Sequence, residues 1–217
     1  MRLADKMVLA STNIHKYREF KALLAVHAAE SSIELVPAES VLANADKLGF
    51  VEVHNTYLEN AVAKARLANQ GCHYPCLGDD SGLEVSALGG KPGVRSRRFA
   101  PLRAGMSQDE SNVQALLEAL KGKQDRSARF VCTLALMVEG VLVHVTGILE
   151  GTIAEKASGK GGFGYDPVFI PNVGPAGQTR SIAEMSDSEK NAISHRAKAV
   201  QSLLAELRAR NIVLAKP

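Results

Sequence analysis

The chain has 217 residues, of which 46% are apolar, enough for one sizeable domain or two lobes sharing a core. Its 26 basic and 23 acidic residues leave a net charge of only +3, and the basic residues are spread along the sequence. That balance is too weak to argue for a protein built to grip duplex nucleic acid, though a polyphosphate can still be held locally. The first element in chain order is "KMVLA", a short buried strand over residues 6–10. "STNIHK" follows, after which Ile14, Tyr17, Phe20, Leu23 and Leu24 recur at helical spacing. Ser11, Thr12 and Asn13 are good N-cap residues, so this stretch reads as strand, tight turn and helix start. "SIELVPA" is expected as a second strand. Thr56 and Glu59 form a capping box that opens a helix running to about Gln70, with Gly71 as its stop.

The run "YPCLGDDSGLEVSALGG" places Asp79 and Asp80 side by side at the lip of an expected strand. Ser107 and Glu110 box the start of a further helix, whose apolar face is Val113, Leu116, Leu117 and Leu120. "ARFVCTLALMV" and "VLVHVTGILEG" read as a long antiparallel pair turning at Glu139-Gly140. "PVFIP" is a short strand closed by proline at both ends. A C-terminal helix carries Ile193, Ala197, Val200, Leu204 and Leu207 on one stripe. Helices alternating with strands, and a hairpin mid-chain, argue an α/β fold with a mixed sheet.

Cys72, Cys76 and Cys132 are too few and too oddly counted for a disulfide framework. Cys72, His73 and Cys76 lack a second ligand pair for zinc, so the cysteines read as small buried apolar residues. "MRLADKMVLAS" has too short an apolar run for a signal peptide, and no segment approaches the ~20 apolar residues of a membrane span. A soluble, cytoplasmic protein is expected.

Several constellations carry chemistry. In "STNIHK" a helix N-terminus aims backbone N–H groups at one spot, and Lys16 in the first turn opposes the helix dipole, an arrangement suited to an anion. An ordinary cap with a solvated lysine is the plainer alternative. The carboxylates of "GDDSG" can hold a hard cation, or one can deprotonate water; Asp-Ser-Gly is also turn chemistry. "GKGGFGYDP" packs four glycines between residues 159 and 164, so backbone can approach a ligand closely, and Phe163 and Tyr165 offer rings to stack on a base. Lys190, His195 and Arg196 are three donors close in sequence. On one continuous helix Lys190 and His195 would stand about 140° apart, so a break near Ser194 is preferred. Glu52 defaults to a surface charge, Glu59 to a capping residue, and Lys64 to a solvated lysine unless its helix lines the site.

The order of these motifs is far more specific than any one of them. Ser11-Thr12-Asn13-x-x-Lys16, Thr56-x-x-Glu59-Asn60-Ala61-x-x-Lys64-Ala65, Asp79-Asp80-Ser81-Gly82-Leu83 and Leu88-Gly89-Gly90-x-Pro92-Gly93 follow one another along the chain. Gly161-Gly162-Phe163-Gly164-Tyr165-Asp166-Pro167 and Glu189-Lys190-Asn191-x-x-Ser194-His195-Arg196 complete the series. Together they resemble the inosine triphosphate pyrophosphatase (Ham1-like) family from residue 7 to about residue 207. The resemblance implies an elongated mixed sheet in a single domain over residues 1–217, with two lobes flanking a central substrate cleft, and a homodimer. It implies Mg²⁺-dependent hydrolysis of ITP, dITP and XTP to nucleoside monophosphate and pyrophosphate, with neither nucleic acid nor membrane as partner. Carried over by position, Ser11, Thr12, Asn13, Ile14, His15 and Lys16 would cradle the triphosphate, with Lys64 beside them. Asp80 would be the general base and a metal ligand, Glu52 and Asp79 further metal carboxylates, and Ser81 a substrate contact. Phe163, Gly164, Tyr165, Asp166, Lys190, His195 and Arg196 would form the base pocket. In "VRSRRFAP" the chain departs from the family pattern at Arg95 and Arg97, and only Arg98 matches.

Overall fold

The computed structural model describes residues 6–26, 33–173 and 179–212. The opening "MRLAD" and Ser32 of the "SIELVPA" run lie outside them. The chain divides into two compact units. Unit 1 comprises Met1–Asp80, Cys132–Gly147 and Arg196–Pro217, and unit 2 comprises Ser81–Val131 and Ile148–His195.

Unit 1 begins with β1 (Lys6–Leu9), α1 (Ile14–Val26), β2 (Glu34–Pro37) and α2 (Tyr57–Gly71). It takes the first half of β3 (Cys76–Val85), parts of β5 (Ser127–Val138) and β6 (Val141–Ile153), and α5 (His195–Ala209) from Arg196 onward. Its strands run in the order β2-β1-β3-β5-β6. β1 pairs in parallel with β2 (Met7 opposite Leu35) and with β3 (Val8 opposite Cys76). Parallel strands of this kind are covered on both faces, and successive side chains point to opposite faces. Met7 and Leu9 accordingly pack with Phe20, Leu23 and Leu24 of α1 and Val200, Leu203 and Leu207 of α5. Val8 and Ala10 pack on the other side with Val36, Leu48 and Ala68 of α2. Glu139 and Gly140 have φ of 45° and 79°, the pair of positive values that a two-residue type I′ hairpin needs. Thr133 and Thr146, five residues either side of that turn's flanks, join hydroxyls at 2.9 Å.

Unit 2 orders its strands β4-β3-β5-β6-β7, with β4 (Pro92–Gly93) antiparallel to β3 and β7 (Phe169–Pro171) antiparallel to β6. α3 (Gln108–Ala119) opens on the expected capping box, with Ser107 and Glu110 satisfying each other's backbone N–H groups. Val113, Leu116 and Leu120 of its apolar face join Leu83, Phe130, Leu149, Tyr165 and Phe169 in one core. α4 (Asp187–Ile193) ends at Ser194, whose extended backbone (ψ 155°) separates it from α5, so the expected break is real. Among the described residues no helix is long and apolar enough to cross a membrane.

Some readings of the sequence need amending, among them the C-terminal stripe, whose Ile193 belongs to α4 and not to α5. β3 does not end at Gly78: it runs unbroken through both aspartates to Val85, so they sit mid-strand. Pro167 lies in a 3₁₀ turn, and β7 starts only at Phe169. Ile14, placed on the apolar stripe of α1, is 52% exposed because it sits at the helix's first position, away from the buried Phe20, Leu23 and Leu24.

The approach of α2 to β3 matters most for function. The buried face of α2 is Asn60, Ala61, Lys64, Ala65 and Ala68, so small residues let the helix settle directly on the strand. At Gly78 a Cβ would lie 2.0 Å from the Ala61 carbonyl oxygen and 2.9 Å from the Ala65 nitrogen. Those are backbone atoms and cannot swing aside. Gly78→Ala should therefore destabilise the protein by about 3 kcal/mol through overpacking, measured by urea denaturation. A loss below about 0.5 kcal/mol would show that the contact is not tight.

Candidate functional site

In unit 1 the functional side chains gather on either side of β3. Because neighbouring strand residues face opposite ways, Asp79 and Asp80 do not share an environment. Asp79 faces α1, fully buried, and forms an ion pair with Lys16. Its other oxygen accepts from the Cys132 thiol at 3.3 Å. Asp80, 5% exposed, faces α2. There Asn60 Nδ2 donates to its Oδ2 at 2.9 Å, and Lys64 Nζ lies 3.7 Å from its Oδ1. Lys64 also donates to Glu52 Oε1 at 2.7 Å. Far from solvated, this lysine is 2% exposed.

Local sequence sets these positions. Asn13 caps α1, its Oδ1 accepting from the His15 and Lys16 N–H groups at 2.9 and 3.3 Å. Ser11 Oγ in turn accepts from the Asn13 N–H at 3.2 Å. The turn thus holds Lys16 at the head of α1, while Thr12, Ile14 and His15 keep exposed side chains. Thr56 caps α2, accepting from the Glu59 N–H at 3.2 Å and donating its hydroxyl to the Glu59 carboxylate at 2.7 Å. Of the expected capping box the Thr56 half is present, while the Glu59 carboxylate takes the Thr56 hydroxyl and not the backbone N–H. Arg196 pairs with Glu19 at 2.7 Å and lends its charge to the Asp79 side.

The two aspartates titrate apart. Burial alone would raise the Asp79 carboxyl, but Lys16, Arg196 and Lys64 outweigh it and hold Asp79 well below the usual carboxylate range. For Asp80 burial prevails over Lys64, Lys16 and Asn60, with the Asp79 charge adding to it, and its pKa is raised to about 6. Lys64 resists burial because Asp80, Glu52 and Asp79 all favour its charge, and its pKa is raised. Burial would likewise raise Glu52, yet Lys64 lowers it. The Lys64–Asp80 pair thus favours charge on the lysine and opposes it on the aspartate: three carboxylates outweigh burial at Lys64, whereas at Asp80 burial and the Asp79 charge outweigh Lys64, Lys16 and Asn60.

Unit 2 gathers the second set. Asp166, 3% exposed, accepts at one oxygen from the Phe163 N–H at 2.9 Å and from Lys190 Nζ at 2.7 Å. Lys190 Nζ also stands 4.7 Å above the Phe163 ring. Gly162 has no room for a side chain, since a Cβ would meet Asp166 Oδ2 at 2.1 Å. Gly164 N–H donates to Asp109 Oδ2 at 2.8 Å, tying the glycine loop to the start of α3. Phe163 remains half-buried, but Tyr165 is in the core, its hydroxyl on the Ser96 carbonyl at 2.9 Å, and offers no ring to a base. His195 is buried and stacked on Phe130, ring centroids 4.8 Å apart and planes 15° apart. Ser81 is half-buried in β3.

Sequence reasoning missed Asn60 and Cys132 as partners of the aspartates. A signal for Asn60 existed: it stands four residues before Lys64 in a stripe otherwise made of alanine. Cys132 gave none, since a cysteine amid strand hydrophobics reads as packing.

Residues 7–206 match the Ham1 family model. A dITP/XTP pyrophosphatase of Christiangramia forsetii is 42% identical over 202 residues, covering 93% of this chain and 98% of that protein. One from Geobacillus kaustophilus is also 42% identical, covering 91% of this chain and 92% of that protein. Among solved structures, the Staphylococcus aureus Ham1 protein superposes with a TM-score of 0.77 at 32% identity, covering 94% of this chain and 99% of that one. A Coxiella burnetii HAM1 protein gives 0.76 at 38% identity, with 94% and 98% covered. The chain belongs to the Ham1 family.

The titration of Asp80 has a sign that can be tested. An ordinary carboxyl titrates near pH 4, so with Asp80 raised to about 6 the folded state holds its proton longer than the unfolded state. That contribution to stability is complete below about pH 4 and is lost as pH rises through 6. Asp79 works oppositely: its contribution is present above about pH 4 and lost as pH falls below that. In metal-free buffer Asp80→Asn should be more stable than the parent at pH 8 by about 1–3 kcal/mol, with the gap closing toward pH 4. Equal urea midpoints at pH 8 would contradict a carboxylate strained by burial.

Proposed function

We propose that this chain, a nucleoside-triphosphate pyrophosphatase, hydrolyses ITP, dITP and XTP to the nucleoside monophosphate and pyrophosphate, clearing deaminated purines from the nucleotide pool. The observation that carries the reading is Asp80, oriented by Asn60 and Lys64 and raised to about pKa 6, on the strand that also holds the ion-paired Asp79. The family and the dITP/XTP pyrophosphatase relatives support the substrate class. A base that titrates near neutral pH can take a proton from water without being permanently idle in either form. Asn60 donates to Asp80 Oδ2 and so fixes the carboxylate, while Oδ1, which faces Lys64 Nζ at the longer distance of 3.7 Å, would receive that proton. Water attacks the α-phosphorus, the bond to the bridging oxygen of the β-phosphate breaks, and pyrophosphate leaves. Lys16 and Lys64 hold the phosphates as point charges.

We further propose Mg²⁺ as the cofactor. Glu52 and Asp80 are hard oxygen donors that converge on one cation, the Lys64 ammonium, and so fit an ion that takes one or two carboxylates plus substrate phosphates. Asp79, with its oxygens engaged by Lys16 and Cys132, supports that site from behind rather than offering a ligand. Among the described residues no three acidic, histidine or cysteine side chains gather as a complete cage, so phosphate oxygens would finish the shell. When bound, the metal would offset charge building on the phosphate oxygens.

In the base pocket, Phe163 and the Lys190–Asp166 pair provide a ring and an anchored cation. Donors from His195 or the glycine loop would meet the C6 carbonyl of hypoxanthine or xanthine. Adenine presents an amino group there and leaves those donors unpaired. A cytoplasmic homodimer completes the proposal.

Product identity decides the matter. With Mg²⁺ and ITP, ³¹P NMR should show inosine monophosphate and pyrophosphate, little turnover of ATP or GTP, and none after chelation. Asp80→Asn should lower kcat by about 10²–10⁴-fold. Orthophosphate as product, equal use of ATP, or an active Asp80→Asn would overturn the reading.

A further inference from the structure

A second reactive cluster lies away from the phosphate-binding side chains. Cys72 is the C-cap of α2 and Cys76 is the first residue of β3. Their sulfurs are 3.5 Å apart. Cys72 Sγ lies 3.4 Å from the Ala68 carbonyl and Cys76 Sγ 3.3 Å from the Tyr74 carbonyl. With each thiol hydrogen turned to its carbonyl, the two sulfurs face one another. Cys72 is half-buried and Cys76 buried.

We propose that Cys72 and Cys76 are a reversible dithiol–disulfide site that takes a two-electron oxidant of the hydroperoxide class. Closing the bond brings the sulfurs from 3.5 Å to about 2.0 Å, a step of the size that side-chain rotation supplies. Cys72, the accessible thiol, attacks a peroxide oxygen as thiolate. The O–O bond breaks, one oxygen leaves as water, and Cys72 becomes a sulfenic acid. The Cys76 sulfur then attacks the Cys72 sulfur, and the second oxygen departs as water with the Cys76 proton. In sum two thiols and one hydrogen peroxide give one disulfide and two waters, with sulfur oxidised and peroxide oxygen reduced. Burial and the neighbouring thiol push the Cys76 pKa up, so Cys72 rather than Cys76 is the thiol that meets the peroxide first. Cys132, fully buried against Asp79, is an internal control. Such a bond suits a reducing compartment as a transient sensor, not a structural staple.

The placement gives the bond a consequence. It ties the end of α2, which carries Asn60 and Lys64, to the start of β3, which carries Asp79 and Asp80. Oxidation should shift Lys64 and Asn60 against Asp80 and slow turnover; this second part rests on the proposed function.

The test treats the full-length reduced protein with hydrogen peroxide. Intact mass should fall by about 2 Da, two hydrogens. Thiols titrated after denaturation should drop from three to one, mapped to Cys132, and dithiothreitol should restore all of them. Cys72→Ser should form no intramolecular disulfide, and Cys76→Ala should accumulate a sulfenic acid at Cys72 that dimedone traps. ITP hydrolysis should slow several-fold on oxidation, recover with dithiothreitol, and be insensitive to peroxide in Cys72→Ser. Three persisting thiols, a bond to Cys132 or a bond between chains would overturn the site. A disulfide formed with unchanged turnover would overturn its effect on activity. If the reduced protein does not act on ITP, the proposed function fails, while mass and thiol count still judge the disulfide.

Discussion

Everything at the unit 1 site follows from placing two adjacent carboxylates in the middle of a buried strand. Such a pair would be costly if both charges met in one environment. The pleat of β3 prevents that by sending Asp79 toward α1 and Asp80 toward α2. Each face then needs its own cation, and each helix delivers one: Lys16 from the first turn of α1 and Lys64 from the second turn of α2. Lys16 opposes its helix dipole, a position explained by the fully buried Asp79 beneath it. The alanine face of α2 and the missing side chain at Gly78 bring the second lysine close enough to serve.

The two faces are not equivalent, and the difference separates roles. Asp79 has an ion pair, a thiol donor and the nearby charge of Arg196, so it stays ionised and anchors Lys16. Asp80 has an amide at 2.9 Å and an ammonium at 3.7 Å that is shared with Glu52, too little to offset burial. Two like residues are thereby driven to opposite ends of the carboxylate range, the pattern by which one site obtains a fixed charge and a proton acceptor.

Much of this was legible in the sequence where the signal was local. The caps at Thr56 and Ser107, the hairpin at Glu139-Gly140 and the break at Ser194 depend on a few consecutive residues, and the structure has each of them. What failed to show depended on partners distant in the chain. "GDDSG" looked like a strand end or a turn because nothing nearby in sequence neutralises the aspartates; Lys16 lies 63 positions earlier. Lys64 looked solvated because an alanine stripe does not announce that a strand will lie against it. Tyr165 looked like a stacking ring because its partner, the Ser96 carbonyl, is a backbone group in a distant loop.

Counting the charges around β3 explains why Asp80 is the group that gives way. Glu52, Asp79 and Asp80 supply three negative charges when ionised, and Lys16 and Lys64 supply two positive ones; Arg196 is matched by Glu19. The set is therefore one positive charge short of balance, and a proton on Asp80 restores it. A cation held by Glu52 and Asp80, as proposed, would do the same without the proton. In the proposed reaction this links binding to readiness: the ligand that brings the phosphates also frees Asp80 to accept a proton from water. The imbalance of one charge, set by which residues the pleat and the two helices bring together, raises the pKa of Asp80 to about 6 in the free site, and a cation beside it would favour the ionised form.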